Sequence, residues 1–305
     1  MMNSVNSFTM NYSNVVNLPF AEKLRATRLA GYSTMSLMPA DIQGMEQTGR
    51  TLADIRSEAA DQGVQINRMD PLNTWSRRWV SDNMPDSYTL KTATTAYEFF
   101  RICEGLGCTH ASLNAMFPLG SMRHDEIIED YIAMCELGAE HGVNIDLEFV
   151  PLWGLPSLEM AWNVVRDADQ HNGLLCFDIW HHVRSKSDIE TLKAIPGHKI
   201  GCVQLSDGPL ELPEGQSIVN NCYDRKWPGD GDFPNVEVVR ILSESKGLTN
   251  VGVEIFSPIL EGLSAEEVAE KSRSTVDQIL LQAGIPVSAS NKDSGSSIGP
   301  VPVTY

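Results

Sequence analysis

The sequence predicts a single (β/α)8 barrel, an α/β fold of eight strand-helix units, with long catalytic-face loops after the third and seventh strands. Three observations lead there. Short runs rich in β-formers recur eight times, each is followed by a segment with helical spacing of its apolar residues, and glycines mark the passage from helix to next strand. Parallel strands joined by right-handed helical crossovers close at this number. An open doubly wound sheet is the alternative, but it usually carries a phosphate fingerprint, and neither GxGxxG nor GxxxxGK[ST] occurs.

The strands begin near Ser7 (SFTM), Ser33 (STMSLM), Val64 (VQINRM), Thr109 (THASLNAM), Val143 (VNIDLEFV), Leu174 (LLCFD), Lys199 (KIGCVQLS) and Asn250 (NVGVEIF). The amphipathic segments lie over 19–30, 51–62, 93–106, 125–141, 158–170, 188–195, 235–245 and 265–283. Gly31, Gly63, Gly107, Gly142, Gly173 and Gly247 stand where a left-handed C-cap needs no Cβ. Two connections exceed the usual βα loop: 70–90 after the third strand and 206–234 after the seventh. Both follow a strand's C-terminal end, the face where such barrels keep their chemistry. The barrel occupies 1–285, and the Ser-, Gly- and Pro-rich stretch 286–305 reads as a tail.

Composition narrows the function. With 42% hydrophobic and 21% charged residues the 305-residue chain can bury a sizeable core. Lys and Arg number 23 against 40 Asp and Glu, a formal charge of −17, which argues against nucleic-acid and anionic-membrane partners. No apolar stretch reaches the roughly 18 residues of a membrane helix, and the N-terminus lacks the pattern of a secretory signal, so a cytoplasmic protein is expected. The six cysteines are dispersed with no CxxC pair, which fits buried, idle thiols better than a disulfide framework or a zinc ribbon.

Four late strands end in oxygen donors: Glu148 in IDLEFVP, Asp178 in LLCFDIWHH, Gln204 in CVQLSD and Glu254 in VGVEIFSP. Singly, each reads equally well as a salt-bridged strand end. Together, three carboxylates converging in buried strands demand a cation or strong hydrogen-bond partners, because an unpaired buried charge costs several kcal/mol, roughly. Such a donor set suits Mn2+ or Mg2+, with Co2+ or Zn2+ as alternatives. Asn114 closes the fourth strand as a candidate substrate contact. Trp75, Trp79, Trp153, Trp180 and Trp227 fall near strand ends or in catalytic-face loops, where a ring face suits a sugar; loop packing is the plainer role for each. Asp207 reads either as a ligand orienter or as part of a turn. The amides of the turn around Gly229, Asp230 and Gly231 can meet an anion or simply enter a helix.

The ordered series Glu148, then Asp178-Ile-Trp-His181, then Val203-Gln204-Leu205-Ser206-Asp207, then Pro228 to Pro234 (PGDGDFP), then Val253-Glu254 resembles the xylose isomerase-like superfamily of sugar isomerases and epimerases. The resemblance implies that Glu148, Asp178, Gln204 and Glu254 match the family's metal ligands, Gln204 replacing the histidine that many members carry. It implies that His181 of the DxxH segment touches a substrate oxygen and that Arg225 is a basic residue used on the substrate. The implied activity is divalent-metal-dependent isomerisation or epimerisation of a sugar, keto-sugar or related polyol. Glu148 and Glu254 would move the proton through a metal-stabilised enediolate.

The alternative in the same scaffold is a lyase: an inosose-type dehydratase, or the catalytic subunit of a C-glycoside deglycosidase acting on a 3-keto-glycoside beside a smaller partner subunit. The family's 3-epimerases carry a further glutamate a few residues after the fifth-strand ligand, and here PLWGLP offers none. The endonuclease IV branch needs a zinc cluster built from several histidines and is disfavoured. A barrel that binds without turnover is the reading from another class. A homo-oligomer with a small carbohydrate substrate is expected.

Overall fold

The computed structural model describes residues 5–79 and 86–287. Eight parallel strands close into a barrel in chain order: β1 (Ser7–Met10), β2 (Thr34–Leu37), β3 (Gln65–Leu72), β4 (His110–Asn114), β5 (Asn144–Glu148), β6 (Gly173–Asp178), β7 (Ile200–Leu205) and β8 (Asn250–Val253). Closure is made by β1 on β8, with Ser7 opposite Asn250 and Phe8 opposite Val251. The helices are α1 (Phe20–Leu29), α2 (Pro39–Gln47), α3 (Leu52–Asp61), α4 (Asp86–Thr92), α5 (Ala96–Leu106), α6 (His124–Glu140), α7 (Leu158–Ala168), α8 (Ile179–Arg184), α9 (Ile189–Ala194), α10 (Ile218–Cys222), α11 (Asn235–Glu244) and α12 (Ala265–Gln282). Among the described residues, no helix is long and apolar enough to cross a membrane.

The strands alternate because residues two apart share a face. Met69, Leu113, Leu147, Phe177 and Val203 are fully buried, and alternation turns them toward the helical shell. The other set fills the lumen with polar groups in layers. In the lower layer Arg68 Nη1 stands 2.5 Å from Asp146 Oδ2 and 3.0 Å from Ser112 Oγ, and His110 Nδ1 lies 2.9 Å from the same carboxylate oxygen. A buried carboxylate is tolerable there because a cation and an imidazole face it. Two residues further along each strand come Asp70, Asn114 and Glu148. In register beside them, Asp178 pairs with Gln204. The layering therefore delivers the candidate residues to the C-terminal mouth.

Several local expectations change. β3 continues through Asp70 and Pro71, joined by a cis peptide bond, so the third-strand loop starts after Leu72 and Asp70 is a strand residue. α2 and α8 are helices that the spacing argument did not separate from their loops. Gly31, Gly63, Gly107 and Gly142 take positive φ as expected, whereas near Gly173 and Gly247 the left-handed residues are Asp169 (φ 49) and Lys246 (φ 66). Residues 80–85 of the third-strand loop and 288–305 of the expected tail lie outside the described residues.

Gly201 is the extra residue where the β6–β7 register shifts, and a Cβ there would come within 1.9 Å of Asp146 Oδ1. Gly201→Ala should therefore push Asp146 off Arg68 and lower stability by roughly 1–3 kcal/mol, measured by urea unfolding.

Candidate active site

Asp178 ends β6 and caps α8. Its Oδ1 accepts from the backbone N–H of Trp180 at 2.6 Å and of His181 at 3.4 Å. Capping fixes the carboxylate's rotamer and leaves Oδ2 facing the lumen. His181, in the first turn of the helix that Asp178 starts, is carried over its own cap: Nε2 lies 3.6 Å from Asp178 Oδ2 and 3.3 Å from Glu148 Oε1. The DxxH spacing is thus a helix-start geometry that brings an imidazole between two strand-end carboxylates.

Glu254 follows β8 and continues its ladder, its N–H donating to Leu205 O at 2.8 Å. Gln204 donates from Nε2 to Glu254 Oε1 at 2.8 Å, while its Oε1 accepts from the Cys176 thiol at 3.1 Å. The loop after β7 brings in Arg225, which is 1% exposed. Its Nη1 donates to Asp178 Oδ2 at 2.7 Å and to Glu254 Oε2 at 3.0 Å, so one guanidinium nitrogen bridges the two carboxylates. The guanidinium lies 5.1 Å from the Trp180 ring and 5.0 Å from that of Phe256, aromatic faces that help hold it in place.

Burial pushes Glu254 well above the carboxylate range, and the charges of Asp178, Glu148 and Asp70 add to the rise against the opposing pull of Arg225. Burial would raise Asp178 too, but Arg225 and His181 outweigh it and hold Asp178 below its ordinary value. Of the two carboxylates on Arg225, Asp178 is therefore the more readily ionised and Glu254 the more readily protonated. Asp70 is pushed up to about 7, by burial first and then by Glu148.

These groups surround a cavity of about 50 Å3. Asp70, Asn114, Glu148, His181, Arg225 and Glu254 give it its polar lining, and Val150, Leu152, Trp153 and Phe256 its apolar walls. It shares Tyr12, Tyr88, Tyr223 and Phe256 with an outer hollow of about 510 Å3.

Donor atoms of Glu148, Asp178 and His181 lie within 4.8 Å of one another, all in buried residues. Two carboxylates and an imidazole in that span fit a divalent cation. The donors are differently distributed from the expected four. His181, expected on the substrate, joins Glu148 and Asp178, whereas Gln204 has its amide nitrogen toward Glu254 and its oxygen toward Cys176.

Trp180, expected against a substrate, is 1% exposed, lies under Arg225 and donates from Nε1 to Asn221 Oδ1 at 3.2 Å; it is not part of the cavity lining. Asp207 is a loop clasp. Its Oδ1 accepts from the N–H of Gly208 and of Phe233, and its Oδ2 from that of Gly229, so one of the turn amides considered for an anion is held by this carboxylate. Asp70 was missed because the strand was ended at Met69; reading β3 through Pro71 would have exposed it as a further strand-end acid.

The profile of the xylose isomerase-like TIM barrel family matches residues 24–278. The chain is 31% identical over 149 residues to an inosose isomerase of Bacillus velezensis, covering 48% of this chain and 52% of that protein. It is 26% identical over 218 residues to a 3-dehydroshikimate dehydratase of Pseudomonas aeruginosa, covering 70% of this chain and 32% of that protein. The chain thus spans about half the length of the first of these relatives and about a third of the second. Among solved structures, IOLI protein with a binding zinc atom superposes with a TM-score of 0.74 at 20% identity, covering 91% of this chain and 99% of that one. A D-psicose 3-epimerase with D-tagatose from Clostridium cellulolyticum gives 0.62 at 12% identity, covering 91% and 99%. At these identities the structural likeness is one of fold.

Arg225→Met should leave Asp178 and Glu254 buried side by side without their shared cation. In chelator-treated protein, urea unfolding should register a loss of roughly 3–5 kcal/mol.

Proposed function

The chain belongs to the xylose isomerase-like TIM barrel family, and from that premise we propose that it moves a proton at the carbon beside the carbonyl of a polyhydroxylated ketone, as an isomerase or epimerase. The observation that carries this reading is the pair Glu148 and Glu254, brought from β5 and β8 to one buried cavity that also holds His181 and Arg225. Two carboxylates reaching one carbon from different strands can remove a proton and return one, which is what isomerisation and epimerisation require. Inosose isomerase and D-psicose 3-epimerase are among the proteins this chain is similar to.

Glu148, Asp178 and His181 would hold a divalent cation, with Glu254 beside them and Gln204 completing the set once its amide is turned. Mn2+ suits this mainly oxygen set best; Mg2+, Co2+ and Zn2+ are the alternatives. When bound, such an ion polarises the carbonyl and acidifies the neighbouring C–H. The protein's own groups do the rest. Glu148 accepts the proton; the C–H electron pair moves into the new C=C bond as the carbonyl oxygen gains charge. Glu254 returns a proton, either to the opposite face of the same carbon or to the former carbonyl carbon; in the second case the neighbouring hydroxyl passes its proton to the first oxygen and becomes the new carbonyl. Arg225 keeps Asp178 anionic while Glu254 changes state, and the aromatic walls exclude water.

Dehydration is the second reading, favoured by one feature of the lining. After Glu148 the cavity wall is Leu152 and Trp153, with no further carboxylate. A substrate with a leaving hydroxyl one carbon further on would then lose water after the same first step. The similarity to 3-dehydroshikimate dehydratase, which runs over the longer stretch of this chain, points the same way.

Incubation of the Mn2+-loaded protein with scyllo-inosose or 3-dehydroshikimate in D2O should give deuterium at the carbon beside the carbonyl. Glu148→Gln and Glu254→Gln should each slow this by about 10²–10⁴-fold, and growth of enone or aromatic absorbance would select dehydration. A wild-type protein that exchanges neither compound contradicts the proposal.

A further inference from the structure

Asp70 is used by none of the steps above, yet its surroundings are those of a ligand contact. It is 3% exposed and Asn114, on the neighbouring strand β4, is 7% exposed, so both are more than nine-tenths buried. Both line the cavity that holds Glu148 and Glu254. Asp70 Oδ2 and Asn114 Oδ1 have no hydrogen-bond partner among the described residues. Native interiors rarely leave such atoms unsatisfied, since each costs about 1–3 kcal/mol and more when charged.

The guanidinium below is committed elsewhere. Arg68, one layer lower on the same strand, spends its guanidinium on Asp146 and Ser112. Ser112 holds Asp70 by a side-chain hydrogen bond, so the carboxylate is anchored on one side and open on the other. What is open is a pair of acceptors, and acceptors recognise donors. The other walls of this cavity include Tyr12, Trp153 and Phe256, whose faces suit the C–H side of a saturated ring.

We propose that Asp70, with Asn114 beside it, is the specificity-determining wall of the site and receives hydrogen bonds from ring hydroxyls of a polyol at positions away from the reacting carbon. This rests on the proton-transfer reading and deepens it by naming the substrate class: a hydroxyl-rich cyclic ketone. A hydroxyketone stripped of its distant hydroxyls would leave both acceptors unpaired, and discrimination of that kind is larger than apolar pockets achieve. Asp70 is thus a binding residue. Its burial without a full set of partners is a stability cost retained for recognition.

The test compares scyllo-inosose with 2-hydroxycyclohexanone, which keeps the carbonyl and its neighbouring hydroxyl and lacks the others. Exchange of the α-hydrogen is measured on Mn2+-loaded wild type, Asp70→Asn and Asp70→Leu at a fixed pH of ~8, well above the ordinary carboxylate range. The preference of wild type for scyllo-inosose, as the ratio of kcat/KM values, should fall about 10- to 100-fold in Asp70→Leu, chiefly through KM. Equal losses on both compounds would overturn the proposal, because they place Asp70 at the reacting carbon or in the framework. Thermal unfolding reads the same question without turnover. Asp70→Asn should melt at or above the wild-type temperature, whereas a fall of several degrees would mark Asp70 as a structural residue and overturn the assignment. If wild type exchanges neither compound, the proton-transfer reading fails on its own, and the melting comparison still decides whether Asp70 faces a ligand.

Discussion

The guanidinium of Arg225 between Asp178 and Glu254 is the interaction on which the mouth of the barrel depends. Four acids, Asp70, Glu148, Asp178 and Glu254, reach one buried region because β3, β5, β6 and β8 each carry a carboxylate at or next to the C-terminal end, and such a concentration of charge is unstable in a low-dielectric interior. One fixed cation, an adjacent imidazole and the amide of Gln204 reduce it. The residual negative charge is what a divalent ion would neutralise. The same arrangement that makes the site costly to fold is what the proposed cation binding and proton transfer would use.

That cation is held by parts drawn from several loops. Trp180 and Phe256 flank the guanidinium, Cys222 Sγ lies 3.7 Å from Arg225 Nη2, and Asp207 fastens the turn that follows by taking its amides. Gln204 is steadied from below through Cys176, whose own sulfur stands 3.2 Å from that of Cys202. Thiols that the sequence marked only as buried therefore form a relay of contacts beneath the site. Lower still, Arg68 and Asp146 repeat the pairing of a guanidinium with a carboxylate inside the lumen, and Gly201 leaves the room that this pair needs. Polar residues spaced two apart along each strand give the barrel its stacked layers, with the candidate site on top.

Much of this was legible in the sequence because it is written in local periodicity. Strand and helix alternation fixed the closed barrel, and IDLE, CFD and CVQL displayed their lumen-facing polar residues at the strand ends. Glu148, Asp178 and Glu254 stand out by that rule, while His181 and Arg225 come from the family resemblance; Glu148, His181, Arg225 and Glu254 line one cavity, and Asp178 joins them through Arg225. What failed depends on contacts between distant segments. No spacing tells that Trp180 turns under Arg225, that Asp207 serves the turn at Gly229, or that Gln204 presents its nitrogen to Glu254. Asp70 was hidden for a different reason: proline is a poor strand residue, so the run was ended before the carboxylate that it carries into the mouth.

Binding of Mn2+, followed by loss of the free-ion electron paramagnetic resonance signal, addresses the cluster most directly. Wild-type protein should take up one ion per chain, and Asp178→Asn, with its fold verified by circular dichroism, should take up none at the same concentrations. A folded wild-type protein that leaves the free Mn2+ signal undiminished would contradict a cation site at Glu148, Asp178 and His181.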